Sequence, residues 1–177
     1  RKVVKINKQS GSQEYFYIPI NGNDFRTIFV DSIGVWIGGI GNGNIVLIEH
    51  FEYPNHFHQF DINYQINDIA YDNLNDVYLF GSNDGIKFFN QFDYNPGDDI
   101  NFVYEGIEQT DNVNALYADS NGLIYTGEDG KIRTYAYSDS TGYYLVNQFD
   151  NTNSALTGYD IIDIDFDSDS VMWAINR

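Results

Sequence analysis

Short apolar runs separated by polar turns fill this sequence, and no segment keeps a helical periodicity. In the middle of the chain, four such runs follow one another, at residues 66–71, 77–80, 86–92 and 100–104. Runs of this length, rich in Ile, Val, Tyr and Phe, are typical of β-strands. The Asn, Asp and Gly residues between them favour tight turns. The pattern therefore predicts four short antiparallel strands in this part of the chain.

The same pattern recurs along the chain, with copies at residues 25–62, 66–105 and 113–149. An aspartate follows the first strand of every copy and of a fourth, shorter one; these anchor aspartates are Asp31, Asp72, Asp119 and Asp167. We interpret them as turn residues whose carboxylates accept backbone N–H groups two residues on. A four-stranded unit repeated at a fixed period predicts an all-β fold, a β-propeller built of four-stranded antiparallel blades.

The two ends of the chain hold complementary halves of a blade. Residues 2–20 have the pattern of third and fourth strands, and residues 161–175 that of first and second strands. Joined, they would make one composite blade, so that about four blades form one closed domain over residues 1–177 and leave no unpaired sheet edge. The alternative is that the chain is a slice of a larger propeller.

The repeat resembles that of two-component-regulator propellers, on the segments YDNLNDVYLFGSNDGIKFF and ADSNGLIYTGEDGKIRTY. Trp36-Ile37-Gly38 matches the centre of that family's repeat, Tyr78 and Tyr125 replace the tryptophan, and Trp173 restores it. A second resemblance, through VNALYADSNGLIYT, is to hemopexin-like four-blade propellers. The first resemblance implies an oligosaccharide-sensing domain. Function does not transfer with a fold, so both resemblances predict architecture first.

The charge of the chain restricts its partners. A formal net charge of -17 repels phosphate backbones and anionic lipid surfaces, so we predict neither nucleic-acid binding nor membrane insertion. The chain has no cysteine, which excludes disulfides, thiol catalysis and thiolate metal sites. We expect most of its 15 tyrosines and 13 phenylalanines to pack between blades. Exposed ones could stack on sugars or anchor a protein partner.

Three aspartates are candidate metal ligands. The first strand of each blade lines the channel of a propeller, and Asp68 and Asp163 both lie four residues before their anchor aspartates. Asp165 shares a strand face with Asp163. Carboxylates that converge on an axis repel one another unless a cation or protons intervene. We therefore expect either an axial Ca²⁺ or Na⁺ ion on Asp68, Asp163 and Asp165, or solvated carboxylates around a water-filled channel.

A second candidate metal site is the hairpin that carries His56 and His58. These two imidazoles share a strand face, and with a carboxylate they could bind zinc; otherwise they are exposed histidines of an outer hairpin. No nucleophile elbow, phosphate loop or zinc-protease motif occurs in the sequence. We expect no enzymatic activity and no required cofactor.

These observations favour a non-catalytic propeller that presents loops to a protein or glycan partner. We expect it to belong to a larger polypeptide or assembly in an extracellular, periplasmic or virion setting. The alternatives are an oligosaccharide-sensing domain of a two-component-type regulator and a carbohydrate-active enzyme, for which the abundant Asp residues could supply a carboxylate pair.

Overall fold

The computed structural model describes residues 2–17, 24–40, 45–49, 57–60, 64–90, 107 and 111–177. These residues form β-strands and no helix, and therefore none of the described segments is an apolar helix able to cross a membrane. The strands are β1 (Lys2–Ile6), β2 (Gln13–Tyr17), β3 (Asp24–Val30), β4 (Gly34–Ile40), β5 (Ile45–Glu49), β6 (Phe57–Phe60), β7 (Ile66–Asp72), β8 (Val77–Ser82), β9 (Gly85–Asn90), β10 (Ala115–Ala118), β11 (Ile124–Glu128), β12 (Lys131–Ser138), β13 (Gly142–Phe149), β14 (Ile161–Phe166) and β15 (Met172–Asn176).

The sheets follow chain order, and every pairing between neighbouring strands is antiparallel. β3-β4-β5-β6 form blade 1, β7-β8-β9 form blade 2, and β10-β11-β12-β13 form blade 3. The strand predicted at residues 100–104 lies outside the described residues. The first strands of successive sheets, β3, β7, β10 and β14, are in contact with one another. This arrangement confirms the all-β propeller of antiparallel blades that the sequence predicts.

A β-bulge lies near the start of three of these four inner strands. In β3 the bulge skips Arg26, in β7 it skips Asn67, and in β14 it skips Ile162. A bulge redirects a side chain that regular pleating would place elsewhere. The redirected polar side chains then link successive blades: the Arg26 guanidinium donates to Asn67 Oδ1 at 2.8 Å, and Asn67 Nδ2 donates to the carbonyl of Val113 at 2.9 Å.

Blades are joined by a side chain of one inner strand that sits against a glycine in the second strand of the preceding sheet. A Cβ atom on that glycine would come within 2.4 to 2.9 Å of the incoming side chain, and the pairs are Gly38 with Ile66, Gly81 with Val113, and Gly127 with Ile161. Contacts this short do not occur between real atoms, so the close approach of the sheets requires glycine at these positions. We call the glycine the hole and the incoming residue the knob.

The hydrophobic core lies between successive sheets. Trp36, Tyr78, Phe80 and Phe89 pack around Ile66 between blades 1 and 2. Leu79, Phe88, Val113 and Tyr135 are among the buried residues between blades 2 and 3, and Ala115, Ile132, Ile161 and Ile164 form the core between blade 3 and β14. Each core is shared by two sheets, so a blade is stable only beside its neighbour.

The register of the second strands corrects the match of Tyr78 to the tryptophan position of the repeat. Trp36 pairs with Phe29, Tyr125 with Tyr117 and Trp173 with Asp165, each two residues before an anchor aspartate. In blade 2 the residue in this place is Leu79, which pairs with Ala70, and not Tyr78. The turn after Asp72 is longer than that after Asp31 and includes Asp76 with φ +56°, which moves Tyr78 to the opposite sheet face.

The two chain ends, which the sequence predicts to share one composite blade, are not hydrogen-bonded to each other in the part of the chain that the structure describes. β1-β2 and β14-β15 are separate two-stranded sheets. The hole position of the last sheet holds Ile175 and the knob position of blade 1 holds Phe25, so these two sheets do not have the residues of the glycine junctions seen between the other sheets. The open arrangement agrees with the alternative, a partial propeller.

Candidate functional site

A cleft lies where the inner strands of blades 1, 2 and 3 end. Its volume is about 560 Å³, which is within the range of ligand pockets. Five aliphatic, three aromatic and three short polar residues line it: Val30, Ile69, Ala70, Leu116 and Ala118; Phe29, Tyr71 and Tyr117; and Asp31, Ser32 and Asn73. Because the inner strands run in the same sense, their carboxyl ends and the turns after them meet at one mouth of the propeller axis.

Asp31 shapes one wall of the cleft. Its Oδ1 accepts the backbone N–H groups of Ile33 at 2.8 Å and Gly34 at 2.9 Å. Its Oδ2 accepts the Trp36 indole N–H at 3.3 Å and the hydroxyl of Tyr78 from blade 2. Both oxygens are therefore engaged in holding the turn and the blade junction. Burial and the neighbouring Asp31 charge raise the pKa of Tyr78, so this phenol stays protonated and donates.

Asp72 has the same function one blade further on, and it is fully buried. Its Oδ1 accepts the N–H groups of Leu74 and Asn75, and its Oδ2 accepts the Tyr143 hydroxyl at 2.8 Å. Tyr143 belongs to blade 3, and burial followed by this hydrogen bond raises the pKa of its phenol. The amides of Asn121 and Leu123 donate to Asp119, and those of Asp169 and Val171 donate to Asp167.

Asp68 lies toward the opposite end of the inner strands and links three blades. Its Oδ1 accepts the Thr27 hydroxyl of blade 1 at 3.0 Å and the N–H of Ile69, and its Oδ2 accepts the N–H of Leu116 in blade 3 at 2.8 Å. Burial raises the pKa of this carboxyl against the opposing effect of the hydrogen bonds, and the charge of Asp163 adds a smaller upward effect.

Asp163 and Asp165 are exposed, and each accepts the N–H of the residue that follows it. In the described part of the chain, no group of three or more His, Cys, Asp or Glu side chains is arranged to bind a metal. The axial cation on Asp68, Asp163 and Asp165 stays a prediction.

The structure describes the backbone of one residue of the predicted histidine pair. His58 lies on β6, where its backbone pairs with Leu47, and His56 lies outside the described residues. The zinc site predicted on this hairpin therefore also stays a prediction.

A buried ionic cluster in blade 3 escaped the sequence reasoning. Glu128 is buried, and its Oε2 lies 2.7 Å from Arg133 Nη1 and 3.8 Å from Lys131 Nζ. Asp111 Oδ2 also lies 2.8 Å from Lys131 Nζ and 2.9 Å from Arg133 Nη1. Burial raises the pKa of Glu128, whereas the hydrogen bond from Lys131 lowers that of Asp111. In the sequence, an acidic residue and two basic residues on either side of a tight hairpin, Glu128, Lys131 and Arg133, could have indicated this ion-pair cluster.

The fold and the cleft define a β-propeller, and solved structures agree. No protein-family model matches the sequence, and no curated protein matches it. The chain is similar to the extracellular domain assigned to a hybrid two-component system from B. thetaiotaomicron (16% identity, TM-score 0.70, 99% of this chain and 23% of that one). It is also similar to PorZ, a bacterial surface component of the type-IX secretion system of Porphyromonas gingivalis. The identity is 15% and the TM-score 0.71, over 97% of this chain and 28% of that one.

The β-propeller domain of Cps50 (Swd1) from Myceliophteria thermophila gives 11% identity and a TM-score of 0.66 over 99% of this chain and 59% of that domain. The chain thus spans about a quarter of the length of the first two proteins. Enzymes, among them a streptogramin B lyase, are also similar in structure. The chain is therefore a propeller that resembles two-component-regulator domains, and this likeness alone does not decide between binding and catalysis.

Proposed function

We propose that this chain is a non-catalytic recognition unit of an extracellular propeller, and that the cleft at the ends of β3, β7 and β10 binds an uncharged oligosaccharide. The observation that carries the proposal is the lining of the cleft. Three aromatic residues, Phe29, Tyr71 and Tyr117, line it together with Ser32 and Asn73. Aromatic faces with a few polar groups are what a sugar ring requires.

The charge of the chain supports an uncharged ligand. A net charge of -17 disfavours anionic sugars, and the Asp31 carboxylate at the cleft wall adds a local negative charge. The similarity to the extracellular domain of a regulator and to a bacterial surface component of a secretion system supports the extracellular setting.

The state of Asp31 supports binding over catalysis. Glycoside hydrolysis needs two carboxyl groups that can reach the scissile bond. Asp31 is the sole carboxylate among the lining residues, and both of its oxygens already accept hydrogen bonds from the protein. Removing them from the turn would break the junction with blade 2.

The test is the binding of neutral malto-, cello- and xylo-oligosaccharides, measured by calorimetry and by the shift of the melting temperature. Ser32 and Ser120 both follow an anchor aspartate and are exposed, but only Ser32 lines the cleft. Ser32→Trp should weaken binding by about tenfold or more, and the matched Ser120→Trp control by less than about twofold. Absence of binding across the panel, or equal loss in both variants, would contradict the proposal, and release of shorter sugars would instead indicate an enzyme.

A further inference from the structure

The last sheet departs from the blade junctions seen elsewhere in the molecule. The hole position pairs with the residue four before the anchor aspartate, and it is glycine in blades 1, 2 and 3: Gly38 pairs with Thr27, Gly81 with Asp68, and Gly127 with Ala115. In β15 the same position, opposite Asp163, is Ile175. An isoleucine side chain therefore projects from the position where the other sheets have a glycine.

The face that carries Ile175 is open. Trp173 and Ile175 lie two residues apart on β15 and share a sheet face, and they are 64% and 57% exposed. Trp36 occupies the place of Trp173 in blade 1, where blade 2 covers it and leaves it 1% exposed. The last sheet therefore has the apolar surface of a blade junction without its neighbour.

A polar group on the same face repeats the pattern of a junction. Asp68 uses one carboxylate oxygen to accept the N–H of Leu116 from the next inner strand. Asp163 holds the same place in β14, four residues before its anchor, and its exposed carboxylate bonds the N–H of Ile164 just as Asp68 bonds that of Ile69. Asp163 has one oxygen with which it can accept a backbone N–H from a neighbouring strand.

The geometry of the observed junctions fixes the size of the knob that Ile175 can accept. A Cβ atom on Gly38 would lie 3.1 Å from the Cβ atom of Ile66, and one on Gly127 would lie 3.0 Å from that of Ile161. Distances this short are tighter than nine in ten real Cβ contacts, so glycine is favoured even over alanine at a knob position that faces Ile175. Phe25, in the knob position of blade 1, is far larger, so a second copy of this chain does not fit this surface through blade 1.

We propose that the face formed by Asp163, Asp165, Trp173 and Ile175 is a docking surface for a further propeller blade whose inner strand has glycine at the knob position. In this junction the knob and the hole are exchanged: Ile175 enters the space left by the glycine, Trp173 packs beneath the incoming sheet, and Asp163 accepts a backbone N–H from its inner strand. The argument is independent of the oligosaccharide cleft, because none of these four residues lines it.

The test extends the chain after Arg177 with a second copy of residues 83–150, the segment that follows the second strand in blade 2. In the copy, Val113 is replaced by glycine. The chain has two tryptophans, one of them buried, and the copied segment has none, so acrylamide quenching of fluorescence reports on Trp173. The proposal predicts a blue-shifted emission and a quenching constant several times lower than in the unextended chain.

Two matched controls change the side chain at the knob position of the copy and then the side chain at position 175. The extension with Val113 retained in the copy should leave Trp173 as quenchable as in the 177-residue chain, and combining that extension with Ile175→Gly should restore protection. Asp163→Ala should weaken the protection given by the glycine-bearing copy. If Trp173 stays fully quenchable with the glycine-bearing copy, or if the copy with Val113 protects it equally, the proposal is wrong.

Discussion

Trp36 and Trp173 occupy the same place in the repeat, and they differ in what lies beside them. The Trp36 indole donates to Asp31 at 3.3 Å, and the Trp173 indole donates to Asp167 at 2.9 Å, so both side chains close the same kind of turn. Trp36 also packs against Tyr78 with ring centroids 4.6 Å apart, whereas Trp173 faces outward. The repeat sequence fixes the turn, and the neighbouring blade supplies the burial.

The largest expected difference lies between these two tryptophans. Trp36→Ala should lower the free energy of unfolding by about 3 to 5 kcal/mol, because it leaves a cavity in the core between blades 1 and 2. Trp173→Ala should change it by less than about 0.5 kcal/mol, as expected of an exposed side chain. Urea unfolding followed by circular dichroism measures both. Equal losses would show that the last sheet is packed as tightly as blade 1.

The anchor aspartates give the next contrast. Asp72→Ala should lower the free energy of unfolding by about 3 kcal/mol, since it leaves the amides of Leu74 and Asn75 and the half-buried Tyr143 hydroxyl without this acceptor. Asp167→Ala should cost much less, because water can replace that exposed carboxylate. Tyr143→Phe serves as a control that removes only the bond between blades. A loss at Asp167 as large as at Asp72 would overturn the distinction between them.

The glycine holes offer a third comparison. Gly127→Ala should lower the free energy of unfolding by about 1 to 3 kcal/mol, because the new methyl group would meet Ile161 and Ala115. Ile175→Ala, at the equivalent but uncovered position, should cost less than about 0.5 kcal/mol. Thermal unfolding of both variants checks this. A neutral Gly127→Ala variant would mean that the sheets are not held as closely as described.

The smallest effect concerns pH. Burial raises the folded-state pKa of Asp68 above 3.8, so the folded state holds its proton more tightly than the unfolded chain does. Stability contributed by this group is complete at low pH and falls as pH rises through the interval between the two pKa values. Asp68→Asn should reduce this decline, while Glu128 contributes with the same sign and Asp111, whose pKa is lowered, with the opposite sign. Urea midpoints measured from pH 3 upward test it, and an unchanged slope in Asp68→Asn would contradict it.

Periodicity and turn chemistry carried the prediction of the blades from sequence, because alternation and Asn, Asp and Gly turns are local signals. The place of Tyr78 could not be predicted, since one longer turn after Asp72 reverses which face a side chain takes. The separation of the two terminal sheets could not be predicted either, because pairing between them depends on strands at opposite ends of the sequence. The cleft was missed because its lining comes from three strands distant in sequence, and no single segment contains its pattern.

Amide hydrogen exchange tests the central claim most directly, namely that blades are stabilised by their neighbours and that the two terminal sheets remain apart. We predict the slowest exchange in β8 and β11, which have sheets on both sides, and exchange at least roughly tenfold faster in β1-β2 and β14-β15. If β2 and β15 were protected as strongly as β8, the two ends would share a composite blade, and the open arrangement described for this chain would be wrong.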